Sequence, residues 1–119
     1  MPIRMRGITM ERKITSDGWE EINMNGESHT GQIIRIDDEK FLFMLMEENL
    51  MKCPANCHIE HLNDKTLDNR KQNLRIKMGP LSIDRLIIKG MENKKIESIS
   101  RVKDDAGNNF YSVNTVLAL

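Results

Sequence analysis

Closely spaced turn signals limit this chain to short secondary-structure elements. Pairs of Gly, Pro, Asn and Asp interrupt it at Asp17-Gly18, Asn25-Gly26, Gly79-Pro80 and residues 104–108. The longest apolar run, Phe41 to Met46, is far shorter than the roughly 18 residues of a membrane-spanning helix. No apolar stretch typical of a secretory signal follows the N-terminus. We therefore expect one cytoplasmic domain of 119 residues, outside any membrane.

Local patterns divide this domain, of predicted α+β class, into three parts. Residues 1–39 contain turn signals and the β-branched run 32–36, which predict a β-rich N-terminal part. Residues 40–79 are expected to hold a helix and the central motif. Residues 80–119 alternate short apolar runs with turns, so they predict a small antiparallel sheet at the C-terminus.

Three elements are predicted within the central part. The segment Lys40–Lys52 is rich in Leu, Met, Glu and Phe, which favours a short helix buried on most of its surface. A short strand over Cys57–His61 follows the break at Cys53-Pro54. A compact helix from Asp68 to Ile76 is expected next, with Gly79-Pro80 ending it.

Opposite charges separate the two halves of the chain, although the total formal charge is zero. Residues 1–64 hold 7 basic and 12 acidic side chains, whereas residues 65–119 hold 11 basic and 6 acidic ones. The cations of the second half all lie between Lys65 and Lys103. Such a stretch can bind phosphates, and by composition alone it can equally be a solvated face.

The segment 59–76 concentrates side chains that a metal nuclease could use. It places a carboxylate and an imidazole next to each other, at Glu60 and His61, and follows them with two amides, Asn69 and Asn73. Two amides four residues apart share one face if both lie on a helix. Asn69 also has a purely structural interpretation as a helix N-cap.

Three blocks of this segment carry a resemblance to a known family. They are Glu60-His61-Leu62-Asn63, Leu67-Asp68-Asn69-Arg70 and Asn73-Leu74-Arg75-Ile76. Together they resemble the HNH endonuclease motif of the phage and homing type, in the His-Asn-Asn variant. The shared spacing and flanking residues make this match far more specific than an isolated His and Asn.

The resemblance implies a ββα-metal finger that hydrolyses or nicks double-stranded DNA with one divalent cation, Mg²⁺ or Mn²⁺. His61 would be the general base, Asn69 would orient it, and Glu60 and Asn73 would bind the metal. Basic side chains would hold the flanking phosphates: Arg70, Lys71, Arg75 and Lys77.

Two differences from the family pattern motivate a second interpretation. Glu60 stands where the family usually has Asp, and the apolar pair Phe43-Met44 stands where it commonly has His-Arg. The sequence therefore also fits a catalytically degenerate HNH-fold binding protein. An example would be a phage inhibitor of host defence, acting in the host cytosol on a host protein or a small nucleotide ligand.

The cysteines and the other histidines suggest no further chemistry. Cys53, Cys57, His58 and His61 are all zinc-ligand types, but they lie too close along the chain to surround one tetrahedral ion easily. We expect two buried, reduced thiols beside a hydrogen-bonded His58. His29 has no visible partner in the sequence.

Overall fold

The computed structural model describes the backbone of two N-terminal strands and the whole of residues 18–117. The elements, in chain order, are β1 (Ile3–Met5), β2 (Ile8–Met10), β3 (Trp19–Met24), β4 (Glu27–Arg35), β5 (Lys40–Leu45), α1 (Met46–Met51), β6 (Cys57–His61), β7 (Leu74–Met78), β8 (Leu86–Ile88), β9 (Lys94–Lys103) and β10 (Asn109–Leu117). The fold is mixed but dominated by strands. The predicted turn at Asp17-Gly18 begins outside the described residues.

A six-stranded antiparallel sheet, in the order β8-β3-β4-β5-β10-β9, forms the body of the molecule. The Asn25-Gly26 turn joins β3 to β4 as predicted, and both of its residues have positive φ (55° and 86°). Asn and Gly tolerate that conformation, which suits the twist of a tight hairpin. The predicted β-rich character of residues 1–39 is confirmed for the part that the structure describes.

The predicted helix over Lys40–Lys52 is wrong for its first half. Residues 40–45 form β5, and only Met46–Met51 are helical. Phe41, Phe43 and Leu45 pack into one apolar cluster, whereas Leu42 and Met44 pack into a second. Alternation along a strand thus sends successive side chains to two buried faces, so the strand appears in the sequence as one continuous apolar run. Burial on both faces outweighs the helix propensity of Leu and Met.

The predicted helix from Asp68 to Ile76 is also wrong. Residues 71–73 form one 3-10 turn, and β7 then pairs with β6 in an antiparallel hairpin. The side chains of Asp68 and Asn73 bond to nearby backbone, which competes with helix formation. The central motif is therefore a strand, a loop and a strand. Within residues 18–117, α1 is the only α-helix, so no helix completes a ββα finger there.

The C-terminal strands are at their predicted places, but they do not form a sheet of their own. β8 joins one end of the large sheet beside β3, whereas β9 and β10 form its other end beside β5. The predicted turn at 104–108 is confirmed: the Asp104 carboxylate accepts the backbone N–H groups of Ala106 and Asn108, at 2.9 and 2.8 Å.

The hairpin β6–β7 is attached to the large sheet by polar contacts at both of its ends. At its base, the Arg101 guanidinium on β9 donates to the carbonyl oxygens of Cys53 and Cys57. At its tip, the Thr66 hydroxyl donates to the carbonyl of Ser28 on β4. These contacts bring the end of β6 close to the middle of β4.

In the described part of the chain, no helix is long and apolar enough to cross a membrane.

Candidate functional site

His61, the predicted base, lies at the end of β6 and is held by Asn69. Its side chain is buried, and Nε2 lies 2.7 Å from Oδ1 of Asn69. An amide oxygen can only accept a hydrogen bond, so Nε2 carries the proton and donates it. In the neutral ring, Nδ1 is then the nitrogen with a free lone pair. The structure thus brings together the two residues predicted to act as base and orienter.

His29 is a second oriented imidazole that the sequence did not reveal. It lies on β4, and its Nδ1 is 2.7 Å from Oε2 of Glu47 at the start of α1. The side chain of His29 is 13% exposed and that of Glu47 only 3%. The hydrogen bond leaves Nε2 of His29 as its other functional nitrogen. Each of the two rings is therefore fixed through one nitrogen by a side-chain oxygen.

The rings of His29 and His61 lie edge to face, with 6.0 Å between their centroids. Both border a cleft of about 270 Å³ between the sheet and the hairpin. Its other polar borders include Asn25, Glu27, His58, Glu60 and Asp64. The cleft thus combines three imidazoles, those of His29, His58 and His61, with carboxylate and amide groups.

Glu60, a predicted metal ligand, lies opposite Arg75 in the hairpin register and one position before His61. Alternation along β6 directs Glu60 and His61 to different faces of the hairpin, and both residues border the cleft. The Glu60 carboxylate pairs with Arg75 and, at 3.0 Å, with Lys77. The hydrogen bond from Lys77, assisted by Arg75, lowers the pKa of Glu60 below its ordinary value. Its charge is already balanced within the hairpin.

Asn73, the other predicted ligand, is buried inside the loop that joins β6 to β7. Its Oδ1 accepts the backbone N–H of Asn63 at 3.0 Å, and its Nδ2 donates to the carbonyl of Asp68 at 2.8 Å. Both polar atoms of the amide are therefore used to shape the loop.

The predicted cation does not fit the arrangement of these residues. Among residues 18–117, no group of three or more His, Cys, Asp or Glu side chains could hold a metal ion. Glu60 is paired with two cations, and Asn73 serves the loop. A divalent cation prefers oxygen ligands that converge on it.

The predicted phosphate-binding side chains differ in what they contact. Arg70 chelates the carboxylate of Asp68 through Nε and Nη2, at 2.8 and 2.7 Å. This contact holds the pKa of Asp68 well below its usual range and raises that of Arg70. Arg75 and Lys77 pair with Glu60, and Lys71 is exposed. Such exposed ion pairs are weak, so a phosphate can compete with the carboxylates for the cations.

The remaining predicted positions fit simple structural roles. Cys53 and Cys57 are buried free thiols, and burial raises the pKa of Cys53. His58 bonds through Nδ1 to the carbonyl of Gly79 at 2.7 Å. The predicted hydrogen-bonded His58 is therefore confirmed.

The sequence separation between each histidine and its partner explains why the sequence revealed His61 but not His29. Asn69 follows His61 closely in a recognisable motif, whereas Glu47 lies 18 residues from its partner His29. Extending the predicted strand 32–36 back through Gly31 to the Asn25-Gly26 turn would have placed His29 on a strand.

Comparison of the chain with protein-family models, with curated proteins and with solved structures finds no match.

Proposed function

We propose that this chain cleaves phosphodiester bonds of DNA, as an HNH-like endonuclease with His61 as its general base. The observation that carries the proposal is the 2.7 Å hydrogen bond from Nε2 of His61 to Oδ1 of Asn69. It fixes one ring tautomer, and a base must be held in one tautomer to take a proton efficiently.

The chemistry asked of His61 is removal of a proton from water. Nδ1 accepts that proton while the water oxygen attacks phosphorus and the bond to the leaving oxygen breaks. Burial of the ring limits competing contacts with solvent. A positioned general base of this kind accelerates a reaction by about 10²- to 10⁴-fold.

Binding of the nucleic acid is assigned to the basic side chains around the hairpin. Lys71 is exposed, and Arg70, Arg75 and Lys77 are exposed partners in surface ion pairs. Each phosphate contact displaces a condensed counterion, so affinity should fall steeply as salt concentration rises. Loss of Lys71 or Arg75 should reduce that salt dependence.

The test is nicking of supercoiled plasmid by the purified full chain, with Mg²⁺, Mn²⁺ or EDTA present. We expect nicking by the wild type and loss of at least about 10²-fold in His61→Ala. The matched control is Lys95→Ala, an exposed residue of β9 outside the cleft, which should retain the wild-type rate. A folded wild type that leaves the plasmid intact under every condition would refute the proposal.

The second candidate is an HNH-like binding protein without catalysis. Glu60 pairs with Arg75 and Lys77 and not with a cation site, which favours the binding protein. Its ligand would be a protein or a small nucleotide. Thermal stabilisation of the intact chain by a nucleotide, together with an uncut plasmid, would favour this candidate over the nuclease.

A further inference from the structure

His29 and His61, two of the three histidines that border the cleft, have chemically different partners. His61 donates to a neutral amide, whereas His29 faces the carboxylate of Glu47 at 2.7 Å. A buried carboxylate stabilises an imidazolium ring, and a neutral amide offers no such counter-charge. The second carboxylate oxygen of Glu47, Oε1, is buried and has no hydrogen-bond partner. The two rings therefore differ in the chemistry of their partners: a neutral amide for His61 and a buried carboxylate for His29.

The geometry allows both rings to act on one substrate group. Their centroids are 6.0 Å apart at the border of a shared cleft. A proton donor or acceptor must come within about 2.6–3.2 Å of the atom it serves. A tetrahedral phosphoryl group seated in the cleft beside both rings can present its attacking oxygen to one ring and its leaving oxygen to the other.

The charge that develops on the leaving oxygen suggests a role for the ring of His29. When the bond to the leaving oxygen breaks, that oxygen would depart as an alkoxide unless a cation or a proton neutralises it. Among residues 18–117, no group of three or more His, Cys, Asp or Glu side chains could hold a cation there. A protonated imidazole can supply the neutralising proton instead.

We propose that His29 is the general acid of this reaction and that Glu47 positions it, an inference that rests on the proposed phosphodiesterase function. Water oxygen forms a bond to phosphorus, and His61 takes the water proton. The bond from phosphorus to the leaving oxygen breaks, and that oxygen takes the proton of His29. Proton exchange with solvent then returns both rings to their starting states, so water is the only co-reactant consumed.

The test compares two substrates that differ in their need for a general acid. Cleavage of an ordinary DNA strand releases a poor leaving group, whereas a p-nitrophenyl ester of thymidine 5′-phosphate releases nitrophenolate, which needs no proton. We expect His29→Ala and His29→Gln to slow plasmid nicking by about 10²-fold or more. Both variants should cleave the nitrophenyl ester within about threefold of the wild-type rate, whereas His61→Ala should lose both activities.

His29→Gln guards against a trivial loss of folding, because its amide can still donate a hydrogen bond to Glu47. Equal losses on the two substrates in both His29 variants would overturn the acid role. Unchanged nicking would overturn it as well, and so would wild-type activity that EDTA abolishes and Mg²⁺ restores. In those three cases the phosphodiesterase function stands. A wild type that cleaves neither substrate refutes the proposed function itself.

Discussion

The large sheet and the hairpin β6–β7 are stabilised by different forces. In β5 the side chains of residues 41–45 are at most 2% exposed and pack into two apolar clusters. In the hairpin loop, by contrast, side chains of Asn63, Asp68 and Asn73 hydrogen-bond to neighbouring backbone and to each other. The sheet is stabilised by the burial of apolar side chains, which does not depend on particular polar partners. The loop, in contrast, depends on specific hydrogen-bond donors and acceptors.

This difference affects how the HNH-like motif of residues 60–76 is interpreted. Residues that resemble a metal-binding signature have, in this chain, the task of shaping a loop that presents Asn69 to His61. The resemblance therefore describes loop geometry at least as much as chemistry. Substitutions in the two regions should separate these contributions.

The largest effect is expected from Phe43→Ala in β5. Phe43 is fully buried and stacks on Tyr111, with ring centroids 4.9 Å apart. Removing it leaves a cavity in the sheet, so the free energy of unfolding should fall by about 3–5 kcal/mol. Chemical denaturation measures the loss. Leu117→Ala, at a residue 60% exposed, should change it by only about 0.5 kcal/mol, and equal losses would contradict the assigned core.

An intermediate effect is expected from Asn73→Ala in metal-free buffer. The variant loses the acceptor for the N–H of Asn63 and the donor to the carbonyl of Asp68, which should cost about 2 kcal/mol. Hydrogen exchange at the Asn63 amide should accelerate more than exchange in β5. Asn114→Ala, which removes an exposed bond to Ser98, should cost about 0.5 kcal/mol.

The outcome for Asn73 also distinguishes its two possible roles. If it is chiefly a metal ligand, the substitution should leave metal-free stability unchanged and should abolish stabilisation by Mg²⁺. The structure instead leads us to expect a loss that Mg²⁺ does not influence.

The smallest effect is expected from Asp68→Asn, and it should depend on pH. The hydrogen bonds from Arg70 hold the folded-state pKa of Asp68 well below its unfolded value. Its stabilising contribution is therefore complete above the unfolded pKa and disappears as the pH falls through the folded pKa. The variant should lack this acid-dependent loss.

Denaturation curves in acid, compared between the wild type and Asp68→Asn, measure this contribution. Asp38→Asn, on an exposed turn, should keep the acid dependence of the wild type. A wild-type curve that parallels the Asp68→Asn curve would show that the Arg70 contact contributes nothing.

Local sequence patterns predicted the elements whose stabilising contacts are themselves local. The Asn25-Gly26 turn, strand Cys57–His61 and the 104–108 turn are as expected. The pairing of His61 with Asn69 also follows from a motif of nearby residues. In each case the deciding contacts join residues close together in the chain.

Predictions failed where the deciding contacts come from distant residues. The apolar run 41–45 fits a buried helix as well as a strand buried on both faces, and only its neighbours β4 and β10 decide between them. His29 showed no partner because Glu47 reaches it from another element. No short window of sequence contains that information.

The position of β10 has a consequence for how a new chain matures. This strand follows the other described strands along the chain, yet it lies inside the sheet between β5 and β9. During synthesis, one edge of β5 stays unpaired until residues 109–117 leave the ribosome. Until then the nascent chain exposes an apolar, aggregation-prone strand edge. The loop contacts around Asn73 can form earlier, because they join nearby residues. A newly made molecule would thus carry a shaped loop before β10 completes the sheet that contains His29.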